Sequence, residues 1–266
     1  MLRAKVIQIP DPYFFDLDQH GLLAVSEKNI SLGDALIRYD SSYGPAEDTD
    51  DESLYSGMLH KNGLPETYEE ILKIVKSIDK INSTHLAAEG ESQGKESRRA
   101  GREKTAKAIE SIADFKVKLA SGNVSLVKSI ALVEGVDRNN FSFATKYCAF
   151  TSLYALQQDK YCIYDRVLMQ VLPYYAFMYL EGDAYKEYCT KNGTSRLDEQ
   201  FRQTCDYDGY RNLVNDIIKG IASVTGIPLP YRTFDKLLWY FYKGRDKKIK
   251  TAKKILREAW QESTVL

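Results

Sequence analysis

The sequence predicts a mostly α fold with a less regular N-terminal part that has room for short strands. Three observations carry that expectation. Apolar residues recur at three- and four-residue steps through much of the chain after Pro65. Pro65 opens one such run and Gly122 closes another. Extended, turn-rich pieces are confined to about the first 45 residues. With 44% hydrophobic residues, the 266-residue chain can build a real core, as one large domain or two small ones.

Taken in order, "KVIQI" and "GLLAV" read as short extended pieces between turns, and "GPAEDTDDES" as the acidic loop that ends them. "PETYEEILKIVKSIDKIN" has a helical period that places Tyr68, Ile71, Leu72, Val75 and Ile78 on one face. Ala87 to Ala108 has almost no large apolar side chain, many charges and several Gly and Ser, the composition of a flexible linker or mobile loop. The expected organisation is an N-terminal region over 1–86, mixed and then helical, a charged linker or loop over 87–108, and a helical core over 109–266. Within the core, "AIESIADFKVKLASG" reads as a helix closed by Gly122, "NVSLVKSIALVEG" follows, and another helix starts near Ser142. Further helices are expected at 166–181, about 196–204, 208–224 and 233–243, with a basic helix at the tail.

Thirty-seven basic residues balance thirty-seven acidic ones, so any attraction to nucleic acid or an anionic surface must be local. The N-terminal stretch lacks the continuous apolar core of a secretory signal, and a cytoplasmic, intracellular protein is expected. The longest apolar run, Val167 to Leu180, is interrupted by Gln170 and Pro173 and falls short of the roughly 20 residues of a membrane span, so no membrane partner is expected. Cys148, Cys162, Cys189 and Cys205 form no CxxC pair, and His20, His60 and His85 are scattered. No metal or other cofactor is expected, and the cysteines read as buried thiols.

One stretch, "FATKYCAFTSLYALQQDKYCIYDRVL", combines features used in nucleophilic chemistry. It places Lys146 near the start of a helix, beside an apolar stripe of Phe143, Tyr147, Phe150 and Tyr154 and a small-residue stripe of Ala144, Cys148 and Ala155. A partly desolvated lysine near the positive end of a helix dipole has its ammonium form disfavoured and is easier to use as a nucleophile. After a short polar loop, Asp165 precedes "RVLMQVLPYYAF" and suits the N-cap of that helix.

The segment resembles the catalytic core of the helix-hairpin-helix (HhH-GPD) DNA glycosylases, most closely the 8-oxoguanine glycosylase branch. There a hairpin leads into a lysine on a helix, and an aspartate follows nineteen residues later at the start of the next helix. Here "NNFSFATKYCAF" and "KYCIYDRVL" carry those positions over about thirty residues. The family's Gly-rich "PGVG" turn, whose amides hold a DNA phosphate, stands here as "VEGVDRNNFSFATK", with Gly135 and Val136 nearest to it. The four-cysteine iron–sulfur signature of other branches is absent.

The resemblance implies that Lys146 attacks C1′ of a nucleotide flipped from double-stranded DNA, and that Asp165 stabilises the positive charge developing on the sugar. It implies excision of an 8-oxoguanine-type base or a hypermodified phage base such as a glycosylated cytosine, with abasic-site lyase activity as a second step. Both repair and anti-phage defence fit, in a bacterial or phage-related setting, with the protein acting as a monomer. An ionised Asp165 would raise the lysine's pKa, so desolvation or a cation such as Arg166 must offset it.

A late helix of the branch supplies a polar and an aromatic side chain four residues apart to the base pocket. Asp235 and Trp239 have that spacing, and Phe150, four residues after the lysine, would face the same pocket. A carboxylate there suits an amino donor such as cytosine N4. The tail "KGRDKKIKTAKKILR" concentrates eight basic residues, among them Lys243, Arg245, Lys247, Lys248 and Lys250, and with Arg166 these are candidate DNA-backbone contacts. A second basic run, "KESRRAGREKTAK", reads equally as tether or contact. The competing readings are a catalytically inactive DNA-binding module and a helical protein-interaction scaffold.

Overall fold

The computed structural model describes residues 14–42, 53–82, 84–88, 94–136 and 139–263, and these are mostly helical. "KVIQI" and all but the last residue of "GPAEDTDDES" lie outside the described residues. Among the described residues, strand pairing is limited to isolated bridges, Leu17 with Leu23, Ala88 with Val136 and Cys189 with Ser195. "GLLAV" is therefore not a sheet strand. Its Leu22, Leu23 and Val25 are buried in irregular chain, where Asp18 Oδ1 accepts from the amides of His20 and Leu22.

Helix α1 (Glu27–Ser42) replaces the extended structure expected before residue 45. It starts where Ser26 Oγ accepts from Asn29 N, while Asn29 Nδ2 ties the turn to the carbonyls of Asp16 and Ala24. Helices α2 (Ser53–Asn62) and α3 (Tyr68–Asn82) follow. Glu70 reaches back to the amides of Glu66 and Thr67, so α3 opens on a capping box, and Ile71, Leu72, Val75 and Ile78 are buried as their spacing predicted.

The expected linker is a helix over most of its length, α4 (Lys95–Glu110). It buries Ser97, Gly101, Thr105, Ala106 and Ile109, so that before its last turn every buried side chain is small. Small residues let the backbones meet. A Cβ on Gly101 would stand 2.7 Å from the Ala87 carbonyl carbon, and Ala88 N donates to Ser97 O. Arg102 secures α4 to α3 through Asp79 at 2.6 Å. The run expected to be continuous at "AIESIADFKVKLASG" is broken at Asp114, which has φ +56°, into the end of α4 and a short α5 (Phe115–Ala120).

Helices α6 (Val124–Ala131), α7 (Phe141–Leu156), α8 (Arg166–Tyr179), α9 (Tyr207–Thr225), α10 (Tyr231–Tyr242) and α11 (Asp246–Glu262) complete the chain. A 3₁₀ turn (Ala184–Glu187) and a π-helical turn (Asp198–Arg202) lie between α8 and α9, the latter where a helix at 196–204 was expected. Helix α7 packs on α2, α3, α5 and α6, whereas α8 packs on α9, α10 and α11. Helix α1 lies against α10 at Gly33, where a Cβ would come within 2.9 Å of Leu237 and Thr233. One continuous buried cluster runs from Phe15 to Leu256.

Instead of two stripes, α7 is buried on almost every side from Phe141 to Tyr154, as a central helix is. All four cysteines are buried free thiols, and burial pushes Cys162 up to about 12. Among the described residues no helix is long and apolar enough to cross a membrane.

Candidate active site

The site is built at the junction of α7 and α8. Asn139 Oδ1 accepts from Phe141 N and starts α7, and Gln157 in the left-handed region ends it. Lys146 is the sixth residue of that helix, in its second turn rather than the first. At 6% exposure the side chain is buried, and its Nζ donates to Ser142 Oγ at 2.8 Å, one turn back and half-buried.

The connection from Gln157 to Asp165 begins polar and ends buried, with Tyr161, Cys162, Ile163 and Tyr164 all inside the core. An extended buried segment must find partners for its backbone groups. Phenols supply them. Tyr207 OH donates to Cys162 O and Tyr210 OH to Ile163 O, both from α9. Tyr164 N donates to Thr145 Oγ1 at 3.1 Å, and the same hydroxyl donates to Ser142 O. This bond joins positions 145 and 164 across nineteen residues, so their successors, Lys146 and Asp165, are brought to the same place.

Asp165 caps α8 as its sequence position predicted. Its Oδ1 accepts from Val167 N at 2.7 Å and from Leu168 N at 2.9 Å. Both bonds fall on one oxygen; among the described residues Oδ2 accepts none.

Burial pushes the Lys146 ammonium below its ordinary value of 10.5; Asp165 and then Asp235 act to raise it, and Lys243 and Arg232 to lower it. The net direction is down, as the nucleophile reading requires. The cations that help are Lys243 and Arg232, however, and not Arg166, which is exposed at the first position of α8.

Arg232 was not legible as a site residue, although the charges of Arg232 and Asp235 at i,i+3 in an aromatic-rich helix were the available signal. Arg232 ion-pairs with Asp235, both side chains being 7% exposed. Its guanidinium lies 5.0 Å from the Phe150 ring centre, and its backbone N donates to Asp159 Oδ2. Phe150 and Asp235, expected to face a base, are thus bridged by Arg232. Trp239 is half-buried on the Asp235 side of α10, with Lys243 Nζ 5.3 Å from its ring. Lys243 is exposed, so this stripe leads from Asp235 beside the buried lysine out to solvent.

The remaining candidate DNA contacts divide. Arg245 donates to Phe241 O and Lys248 to Gly21 O at 2.6 Å, so both serve the packing of α11. Lys247 and Lys250 are exposed. In the second basic run, Lys104 donates to Gly135 O and Arg102 is committed to Asp79.

Residues 43–155 match a family model described as "HI_0787_N: N-terminal domain", a span that contains Lys146 and stops short of Asp165. No curated protein and no solved structure matches the chain.

Proposed function

We propose that the chain is a DNA glycosylase that excises a damaged or modified base from duplex DNA. The observation that carries this reading is Lys146, a buried amine whose proton is disfavoured, clamped opposite a capping carboxylate by the Thr145–Tyr164 bond. In this chemistry the nitrogen lone pair forms a bond to C1′ as the bond from C1′ to the base breaks. The electron pair leaves with the base, which is protonated on departure. The attached nitrogen loses one proton, and its lone pair then forms the second bond to C1′ as the C1′–O4′ bond breaks. O4′ takes up a proton, giving the ring-opened Schiff base. The spare Oδ2 of Asp165 offers negative charge to the sugar as it becomes cationic. Exposed Lys243, Lys247, Lys250 and Arg166 are available for phosphates, and a flipped nucleotide of the 8-oxoguanine or hypermodified-cytosine type is the substrate class.

The test is borohydride trapping on duplexes carrying undamaged, oxidised and phage-type modified bases. A covalent protein–DNA band that is lost in Lys146→Gln is the expected result. Released base without a band would assign the attack to water. Neither product on any duplex would refute the proposal. The second reading is a DNA-binding module without catalysis, which the exposed cations Arg166, Lys243, Lys247 and Lys250 alone would serve. Salt-sensitive DNA binding without base release would support that module.

A further inference from the structure

The two carboxylates that act on Lys146 are held differently. Asp165 is fixed by the first amides of α8, whereas Asp235 ion-pairs one turn back on its own helix, and a buried lysine is an obvious competing partner for it. Asp235 is instead paired with Arg232, whose guanidinium offers a planar donor fork that suits a carboxylate better than an ammonium does. The guanidinium is held by Asp235 one turn along α10 and by the Phe150 ring at 5.0 Å, and the backbone N of Arg232 donates to Asp159 at 3.1 Å.

We propose that Arg232 is a positioning residue for Lys146: by holding Asp235 in its own ion pair it keeps that carboxylate from capturing the lysine, and leaves the amine on Ser142 with its lone pair free to react. The consequence for the reaction rests on Lys146 being the nucleophile; the charge arrangement does not. The groups acting on Lys146 are Asp165 from the start of α8, and Asp235, Arg232 and Lys243 from α10 and its end, with Ser142 on its own helix. Tyr210 of α9, near both carboxylates, directs its proton to Ile163 O. Losing Arg232 therefore removes one cation and takes away an ion-pair partner of one anion, and both changes favour the ammonium.

The experiment is a direct titration of Lys146 by NMR in the full-length protein carrying lysine labelled with ¹³C at Cε, the signal being assigned by its absence in Lys146→Met. In Arg232→Met the titration should move to higher pH, leaving about tenfold less neutral amine at a given pH. In Asp235→Asn, where the cation remains and the anion is gone, it should move to lower pH. Arg232→Lys should restore part of the wild-type position. Opposite signs in the two variants support the proposal, because general loosening of the site would move both the same way.

An unchanged titration in folded Arg232→Met, or the same sign in both, overturns it. If Arg232→Met does not fold, Asp235→Asn decides alone: a fall supports the proposal and no change overturns it. Borohydride trapping on the same samples separates the two ideas. Opposite shifts without trapping on any duplex would keep the role of Arg232 and remove the nucleophile, and trapping without shifts would do the reverse.

Discussion

Asp79 on α3 and Asp165 before α8 are both buried carboxylates, at 3% and 8% exposure, and they are engaged in different ways. Asp79 is saturated. Its Oδ1 accepts from Thr84 Oγ1 and Leu86 N and its Oδ2 from Arg102 Nε, so both oxygens hold chain segments together. Asp165 places two backbone donors on one oxygen and keeps the other spare beside a lysine whose charge is disfavoured. Burial alone does not separate a structural carboxylate from a chemical one. Under the proposed function, the distribution of hydrogen bonds over the two oxygens is what distinguishes them.

The contrast is broken or upheld most directly by paired amide substitutions. Asp165→Asn keeps an N-cap and removes the charge, so base excision should slow by about 10²-fold while the unfolding temperature barely moves. Asp79→Asn strands Arg102 and should cost about 2–4 kcal/mol of stability with the rate per folded molecule unchanged. Denaturant unfolding and single-turnover excision measure both. Equal destabilisation by the two would end the distinction.

The docking of α4, which Asp79 anchors, is tested by Gly101→Ala. The added methyl meets the Ala87 backbone at 2.7 Å and should cost about 1–3 kcal/mol by urea unfolding. A neutral result would mean that α4 is not held by close backbone contact.

At the other cluster, Lys146 binds its proton less well folded than unfolded. Between its folded midpoint and 10.5 the unfolded chain therefore holds the extra proton, and the contribution of this group to stability rises with pH. The cost is absent above 10.5, grows as pH falls through that window, and is complete below the folded midpoint. Relative to Lys146→Met, the wild-type unfolding temperature should climb as pH rises towards 10.5. Parallel curves would mean that the lysine is not desolvated. The smallest effect is expected from exposed charge. Lys247→Ala and Lys250→Ala should each lower the salt slope of DNA binding by about one and leave stability within about 0.5 kcal/mol.

The mostly α fold, the buried face of α3, the helices from α8 onward and the capping role of Asp165 were legible in the sequence, because each rests on local spacing and local backbone donors. The proximity of Lys146 and Asp165 was expected only through the family resemblance; the Thr145–Tyr164 bond is its physical cause. Helix α4 was missed because its buried stripe up to residue 106 is made of Ser, Gly, Thr and Ala, whose contribution depends on how closely another backbone approaches. Arg232 was missed for a related reason. An i,i+3 ion pair on a helix reads as a solvated pair until the aromatic wall that buries it is known. The sequence by itself determined α3, the helices from α8 onward and where α8 begins, since those follow from interactions within a few residues. Tertiary structure alone decided which carboxylate is saturated and which cation guards the lysine, because those depend on partners brought together from distant parts of the chain.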